Sequence, residues 1–292
     1  MKAQRASRQA DQHASRPSYD VPRPLAMRTR GRGHGPITRL ASPGDLGQLL
    51  KPFVFLDLFD IQPTAVGRGF DMHPHSGIAT LTYLMHGEVG YEDTTGKKGV
   101  LPAGGVEWMR AGNGVWHSGL PVGIASARGF QLWVALPPAE ENAPAQSMYL
   151  PPDRLPVEGP ATVLLGRYGS ARSPIPIRAE MTYLAVRLKD GERWRYTPPA
   201  GHSVAWLALI DGGLDVGQNI DAGELVVFEE SEQAIQMLAK GDTAFVLGSA
   251  VKHPHDLVLG YYSVHTSEAT LAQGEAEIRR IGDRLRRAGR LP

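Results

Sequence analysis

The sequence predicts an all-β chain of two similar antiparallel barrels with one helix at its C-terminal end, and three observations carry that expectation. Gly 34 and Pro 23 are high for 292 residues, which suits many short strands joined by turns. Short apolar runs bounded by Gly, Pro or Asp-Thr recur along the chain, as in sandwiches and barrels. The order strand, Gly turn, short strand, Gly-containing turn occurs twice, at Thr80–Gly87 with Gly104-Gly105 and at Val204–Gly213 with Gly223, so two copies of one unit is the economical reading. The length accommodates two domains with substantial cores.

In chain order, residues 1–24 read as a basic, poorly ordered leader rich in Gln, Ser, Arg and Pro. Residues 1–40 carry nine Lys or Arg against Asp11 and Asp20, a charge of +7, so the remainder of this +1 chain sums to −6. Such a tail could touch an acidic partner. Nucleic acid is not expected, because Tyr19 is its single aromatic residue and base-stacking platforms are missing.

Residues 25–136 are expected to form the first barrel. Ala26–Thr29 and Ile37–Leu40, around Gly-Arg-Gly-His-Gly at 31–35, read as a hairpin or two short strands, with His34 facing solvent. Phe53–Phe59 is a nearly continuous apolar run and suits a buried strand; Ile78–Met85, Glu88–Glu92, Val106–Met109 and Phe130–Leu136 follow. Seven prolines between Pro137 and Pro160 mark residues 137–160 as the connection. Residues 161–292 form the second barrel, with strands at Val163–Leu165, Tyr183–Leu188, Val204–Ile210, Leu225–Phe228, Ile235–Leu238 and Ala244–Leu247. A helix over 267–288 ends the chain: Thr266-Ser267-Glu268 cap it, Leu271, Ile278, Ile281 and Leu285 share a face, and Arg286, Arg287 and Arg290 suit its C-terminal dipole.

With no Cys, disulfides and thiolate ligands are excluded, and any metal must rest on His, Asp or Glu. The longest apolar run, Val204–Ile210, is too short for a bilayer, and no apolar segment follows the basic N-terminus, so a cytoplasmic protein without membrane contact is expected.

The chemistry centres on Gly69-Phe70-Asp71-Met72-His73-Pro74-His75-Ser76-Gly77. On an extended strand i and i+2 share a side, so His73 and His75 present two imidazoles to one cavity while Pro74, which cannot donate to a ladder, puts them at a strand end. His117, after the Gly112-Asn113-Gly114 turn, can return beside them. Three imidazoles suffice for Zn²⁺ or Fe²⁺ with open positions. Trp108, Met109 and Trp116 are expected in the barrel core or the pocket wall. A second such pair, His253-Pro254-His255, has no partner histidine in an analogous Gly turn and is not expected to bind metal; His202 is followed by Ser203-Val204 rather than another histidine, and His265 is expected to order the start of the helix.

Residues 69–121, GFDMHPHSGIATLTYLMHGEVGYEDTTGKKGVLPAGGVEWMRAGNGVWHSGLP, resemble the signature region of the pirin family. The likeness extends through Lys51–Asp57 and His253–Ser267 and covers roughly 25–285. The resemblance implies a bicupin, two jelly-roll barrels with one metal in the first and none in the second. It implies Fe(II), with Zn, Ni, Mn or Cu as alternatives, held by histidines that match His73, His75 and His117. The family's ligand glutamate is not matched: its His-Ser-Glu or His-Ala-Glu reads His117-Ser118-Gly119 here. Thr80 and His86 also stand where the family commonly has Glu. Some pirins resemble quercetinases, which implies a small aromatic or enolic substrate and dioxygen; others act through partner proteins, which implies a non-enzymatic regulator with a degenerate pocket. Glu107, Glu92 or His86 could substitute for the missing glutamate, and Glu107 and His86 are the catalytic candidates.

Overall fold

The structure is a computed structural model that describes residues 21–62 and 70–291. The first half is two facing antiparallel sheets rather than one closed barrel. The larger runs, in spatial order, Gln146–Leu150, Val106–Arg110, Ile78–His86, Ala127–Ala135, Phe53–Ile61, Ile37–Ala41, Arg32–His34. The smaller runs Phe70–His75, Val115–Pro121, Glu88–Asp93, Lys98–Pro102. A nine-stranded antiparallel sheet makes the second half, with Val204–Asp215, Ile235–Ala250 and Met181–Leu188 at its centre. The all-β bicupin architecture expected from the sequence is therefore present, with α-helix only at α1 (Leu46–Leu50) and α2 (Glu268–Arg287) among the described residues. The short α1 escaped the sequence reading, since its single turn is set by a local cap, Asp45 accepting from the Leu46 backbone N–H.

The halves pack through their large sheets. Ala79, Leu81, Trp108 and Phe130 from one side and Tyr183, Trp206 and Val246 from the other lie in one buried cluster, with Phe53 edge-on to Trp206 at 5.5 Å. Ile78–His86 is thus covered on both faces. Its odd residues Ala79, Leu81 and Tyr83 meet the other half, while Thr80 and Thr82 are buried between the two sheets of the first. Two threonines inside such an apolar run mark the face where polar chemistry is kept.

The strand pairings do not follow the boundaries drawn at 24, 136 and 160. Leu25–Thr29 joins Leu225–Phe228 in the second half and does not form the expected hairpin with Ile37–Ala41, which pairs instead with Arg32–His34, residues expected in the turn. Of the expected leader, residues 1–20 lie outside the described residues, but Arg23 is buried and donates to the carbonyls of Glu229 and Ser203. Within 137–160, Gln146–Leu150 extends the first half's large sheet and Val157–Glu158 the second's. Prolines there limit strand length without preventing pairing.

After Ala250 the chain returns to the first half. Ser263 bridges to Ser76, the hairpin Val258–Gly260/Ser263–His265 lies beside the histidine strand, and α2 crosses Val115–Pro121. The helix falls within a residue of expectation at each end: Ser267 caps it by accepting from Thr270 N–H, and Leu271, Ile278, Ile281 and Leu285 are buried. Gly282 lets α2 approach closely, since a Cβ there would sit 2.8 Å from the Trp116 ring, and Trp116 Nε1 donates to the Ile278 carbonyl at 2.8 Å. Gly77, at φ 74°, turns the chain from Phe70–His75 into Ile78–His86; a Cβ there would lie 2.1 Å from the Val264 carbonyl oxygen.

Candidate metal centre

Antiparallel register brings the three expected histidines together. His117 is directly opposite His73 and Val115 opposite His75, so one face of this two-stranded edge presents all three rings. One ring nitrogen from each lies within 4.8 Å of the other two, and no other group of three or more His, Asp or Glu among the described residues meets that criterion.

The outer nitrogens carry the more informative detail. His73 Nδ1 is 2.6 Å from the Asp71 carbonyl, His75 Nδ1 is 3.0 Å from the Tyr262 carbonyl, and His117 Nδ1 is 3.0 Å from Glu107 Oε1. A carbonyl or carboxylate oxygen can only accept, so each Nδ1 is the protonated nitrogen and each Nε2 keeps its lone pair for the centre. The Nε2 atoms of His73 and His117 stand 3.0 Å apart. Two lone pairs at that distance repel, and a cation held between the rings turns the repulsion into attraction. This donor set therefore fits a metal ion, with the outer contacts that metal-binding imidazoles usually have.

Burial pushes the His73 pKa down to about 3, helped by His117, and burial with its two neighbours holds His75 well below the ordinary value, so both rings are neutral at pH 7. Glu107 is buried, 7% exposed. Burial alone would raise its pKa, but His117 and a 2.6 Å hydrogen bond from Thr82 outweigh this and hold the carboxyl below its usual range. Tyr149 extends the network, donating to Asp93 at 2.8 Å with Glu107 Oε1 at 3.4 Å; burial, then the two carboxylates, raise its pKa.

The other candidates fall elsewhere. Glu107 sits behind His117 and on its outer nitrogen, which places it as the orienting carboxylate rather than in the position of a fourth inner group. His86 is exposed at its strand end opposite Arg128, and Glu92 is engaged by Arg290 at 2.5 Å. Gly119 shares the strand of His117 after an irregularity in register, beside a small cavity of about 30 Å³ that His117 and Glu107 also line; a Cβ there would meet Val89 Cγ1 at 3.3 Å. Trp108 and Met109 are core residues, and Trp116 faces α2. His253 is buried and, among the described residues, meets only His255 as a ring neighbour, 5.3 Å between centroids, while His265 Nε2 is 3.0 Å from Ser76 Oγ and ties the start of α2 to the histidine strand.

His73 and His75 line a cavity of about 640 Å³. Its walls include Phe55 and Trp133, stacked at 4.1 Å, with Gln131, Tyr262, Arg39 and Asp57. Arg39 binds Asp57 bidentately, both contacts 2.9 Å, and lies over the Phe55 ring at 4.3 Å. Among these residues, Arg39, Gln131, Tyr149 and Tyr262 were not singled out from sequence. The threonine pair at 80 and 82 was the available clue to an inner polar face; nothing local pointed to Tyr262, which is 187 residues from His75.

A two-sheet cupin half with converging histidines, packed on a second half without such a group, defines a bicupin with one candidate metal site. The comparisons give the family. The Pirin family model matches residues 36–134. A Pseudomonas aeruginosa protein named "Putative quercetin 2,3-dioxygenase" is 38% identical over 192 residues, covering 62% of this chain and 67% of that one. A pirin-like protein of Solanum lycopersicum is 33% identical, covering 68% of each. The crystal structure of a quercetin 2,3-dioxygenase from Acinetobacter baumannii superposes with a TM-score of 0.79 over 89% of this chain and 98% of its own, at 21% identity, a likeness of fold. The chain belongs to the pirin family.

Proposed function

We propose that this protein is a metal-dependent, dioxygenase-like oxidoreductase of the quercetinase type, acting on a small aromatic or enolic compound, with His73, His75 and His117 as the metal ligands. The observation that carries the reading is the convergence of one ring nitrogen from each of the three histidines beside the 640 Å³ cavity while every Nδ1 has an acceptor. Fe(II) is the expected ion, with Zn, Ni, Mn or Cu as alternatives. When bound, it would supply activation of dioxygen or polarisation of an enediol-like substrate. The chain's own groups do the rest. Phe55 and Trp133, stacked on each other with Arg39 over Phe55, give the cavity apolar aromatic lining, Gln131 and the Arg39–Asp57 pair offer polar groups for a substrate's oxygens, and Glu107 holds His117 in one tautomer. Gly119 stands where the family's ligand glutamate stands, so it can neither bind the ion nor accept the substrate's proton.

That substitution favours one second reading, a regulatory or binding protein of the pirin type with an altered pocket. Metal content of the purified protein, followed by oxygen uptake across a flavonol panel, separates the two. Metal with turnover supports the oxidoreductase. Full occupancy with no turnover on any member removes the quercetinase reading and leaves the binding protein, and failure to take up Fe²⁺ or the alternative ions removes the metal site as well.

A further inference from the structure

A second cavity, of about 270 Å³, lies in the other half, and its lining is of a different kind. Arg167 and Arg172 are directly opposite each other in the two-stranded ribbon Arg167–Tyr168/Ala171–Arg172, so their side chains leave from the same face. Like charges so placed repel, and among the described residues neither guanidinium has a carboxylate or carbonyl partner, although both line the cavity. Arg178, also in the lining, shares Glu140 with Arg110, at 3.2 and 3.6 Å, so one carboxylate there serves two guanidiniums. The lining's own acid is Glu180, which leaves the site cationic. His202 is 4% exposed; its Nδ1 is fixed 2.9 Å from Ser249 Oγ, itself 2.6 Å from the Tyr196 hydroxyl, and its Nε2 has no hydrogen-bond partner among the described residues. Beside these polar groups Ile175, 3% exposed, and Met181, also 3%, give the cavity apolar wall.

We infer that this cavity is a binding site for a small organic carboxylate, its carboxylate on Arg167 and Arg172 and its short hydrocarbon body against Ile175 and Met181. Two guanidiniums can take a carboxylate with two charge-assisted bonds each, which offsets the repulsion built into the ribbon. His202, fixed through Nδ1, offers Nε2 to a second polar group of the same ligand. A strand-leading histidine is kept at this mouth without the neighbours a metal would need, and the cations are arranged around it. The inference does not rest on the metal centre, since the cavities share no lining residue.

Benzoate, with inorganic phosphate and chloride as comparisons at constant ionic strength, tests it on the full-length protein by calorimetric titration and thermal shift. Saturable benzoate binding with a Kd below 1 mM in roughly 1:1 ratio is expected. It should weaken at least tenfold in Arg167→Ser/Arg172→Ser and persist in His73→Ala. Because the two arginines hold no partner, the double variant without ligand should melt at or above the wild-type temperature. If it fails to fold or melts several degrees lower, the arginines are structural and the inference is overturned. It is also overturned by no saturation up to 10 mM, by equal responses to chloride, or by equal binding in the double variant. Phosphate matching benzoate would show that only charge is read and would remove the carboxylate assignment.

Discussion

Replacing Glu107 with Ala isolates what the buried carboxylate does for the histidine it touches. Three groups meet Glu107, and two keep a second partner after truncation: Thr82 Oγ1 retains Gln131 at 2.8 Å, and Tyr149 retains Asp93 at 2.8 Å. The loss therefore falls on His117, whose Nδ1–H has no other acceptor among the described residues. An orphaned buried donor costs about 1–3 kcal/mol, and losing the outer partner of a metal-binding histidine lowers metal affinity about 10–100-fold, or about 1.4–2.7 kcal/mol. Glu107→Gln keeps an acceptor oxygen for Nδ1–H but not the charge, so the expected order of affinity is wild type, then Gln, then Ala. Chelator-competition titration with Zn²⁺ or Fe²⁺ measures it, with a denaturant midpoint on the metal-free protein as control. Affinity in Glu107→Ala within twofold of wild type would refute the assignment of Glu107 as the residue that orients His117.

Gly119→Glu should tighten metal binding in the same titration, more so when Val89→Ala removes the methyl group 3.3 Å from the new Cβ; weaker binding in both variants would mean that another group already holds that position. Metal-free protein should lose stability as pH falls below about 6.5, the unfolded histidine value. His73 titrates near 3 and His75 well below normal in the fold, so the unfolded chain binds more protons across that window and stability rises with pH. Urea midpoints at pH 5 and 7.5 without metal check the sign, and equal midpoints count against the depressed values. Trp116→Ala removes the hydrogen bond to Ile278 and the ring against Gly282, with an expected cost of about 3 kcal/mol read from the denaturant midpoint. A cost under 1 kcal/mol would mean that α2 is held mainly elsewhere.

The fold class and the His73–His75 pair were legible because each rests on short-range pattern, whereas His117 was joined to the pair by its Gly112-Asn113-Gly114 turn and by the family resemblance. Apolar runs between turn residues mark strands, and the i, i+2 spacing of His73 and His75 sets one face before any partner is known. The C-terminal helix was equally plain, since Ser267 and the buried stripe from Leu271 to Leu285 act within it. What could not be read depends on pairing at long range. Glu107 required the register of Val106–Arg110 on Ile78–His86, where it stands opposite Thr82, before its direction could be known. Leu25–Thr29 looks like any first strand, and only its docking on Leu225–Phe228 assigns it to the other half. Tyr262 contributes through its backbone carbonyl, which its side chain does not advertise.

The exchange of chain ends has a consequence for anyone cutting this protein into pieces. The first described strand, Leu25–Thr29, completes the far half, and the chain after Ala250 closes over the near one, so a fragment ending at Leu136 would lack the Tyr262 carbonyl that orients His75 and the helix that covers Trp116. Its three histidines would be present in sequence, but His75 would have lost the acceptor on its outer nitrogen. Conversely, a protease that trims only the C-terminal arm as far as Tyr262 would act on His75 from 187 positions away in the chain, by freeing its imidazole to rotate. Leu25–Thr29 and the arm after Ala250 thus serve as fasteners, and opening either unfastens the half to which it does not belong.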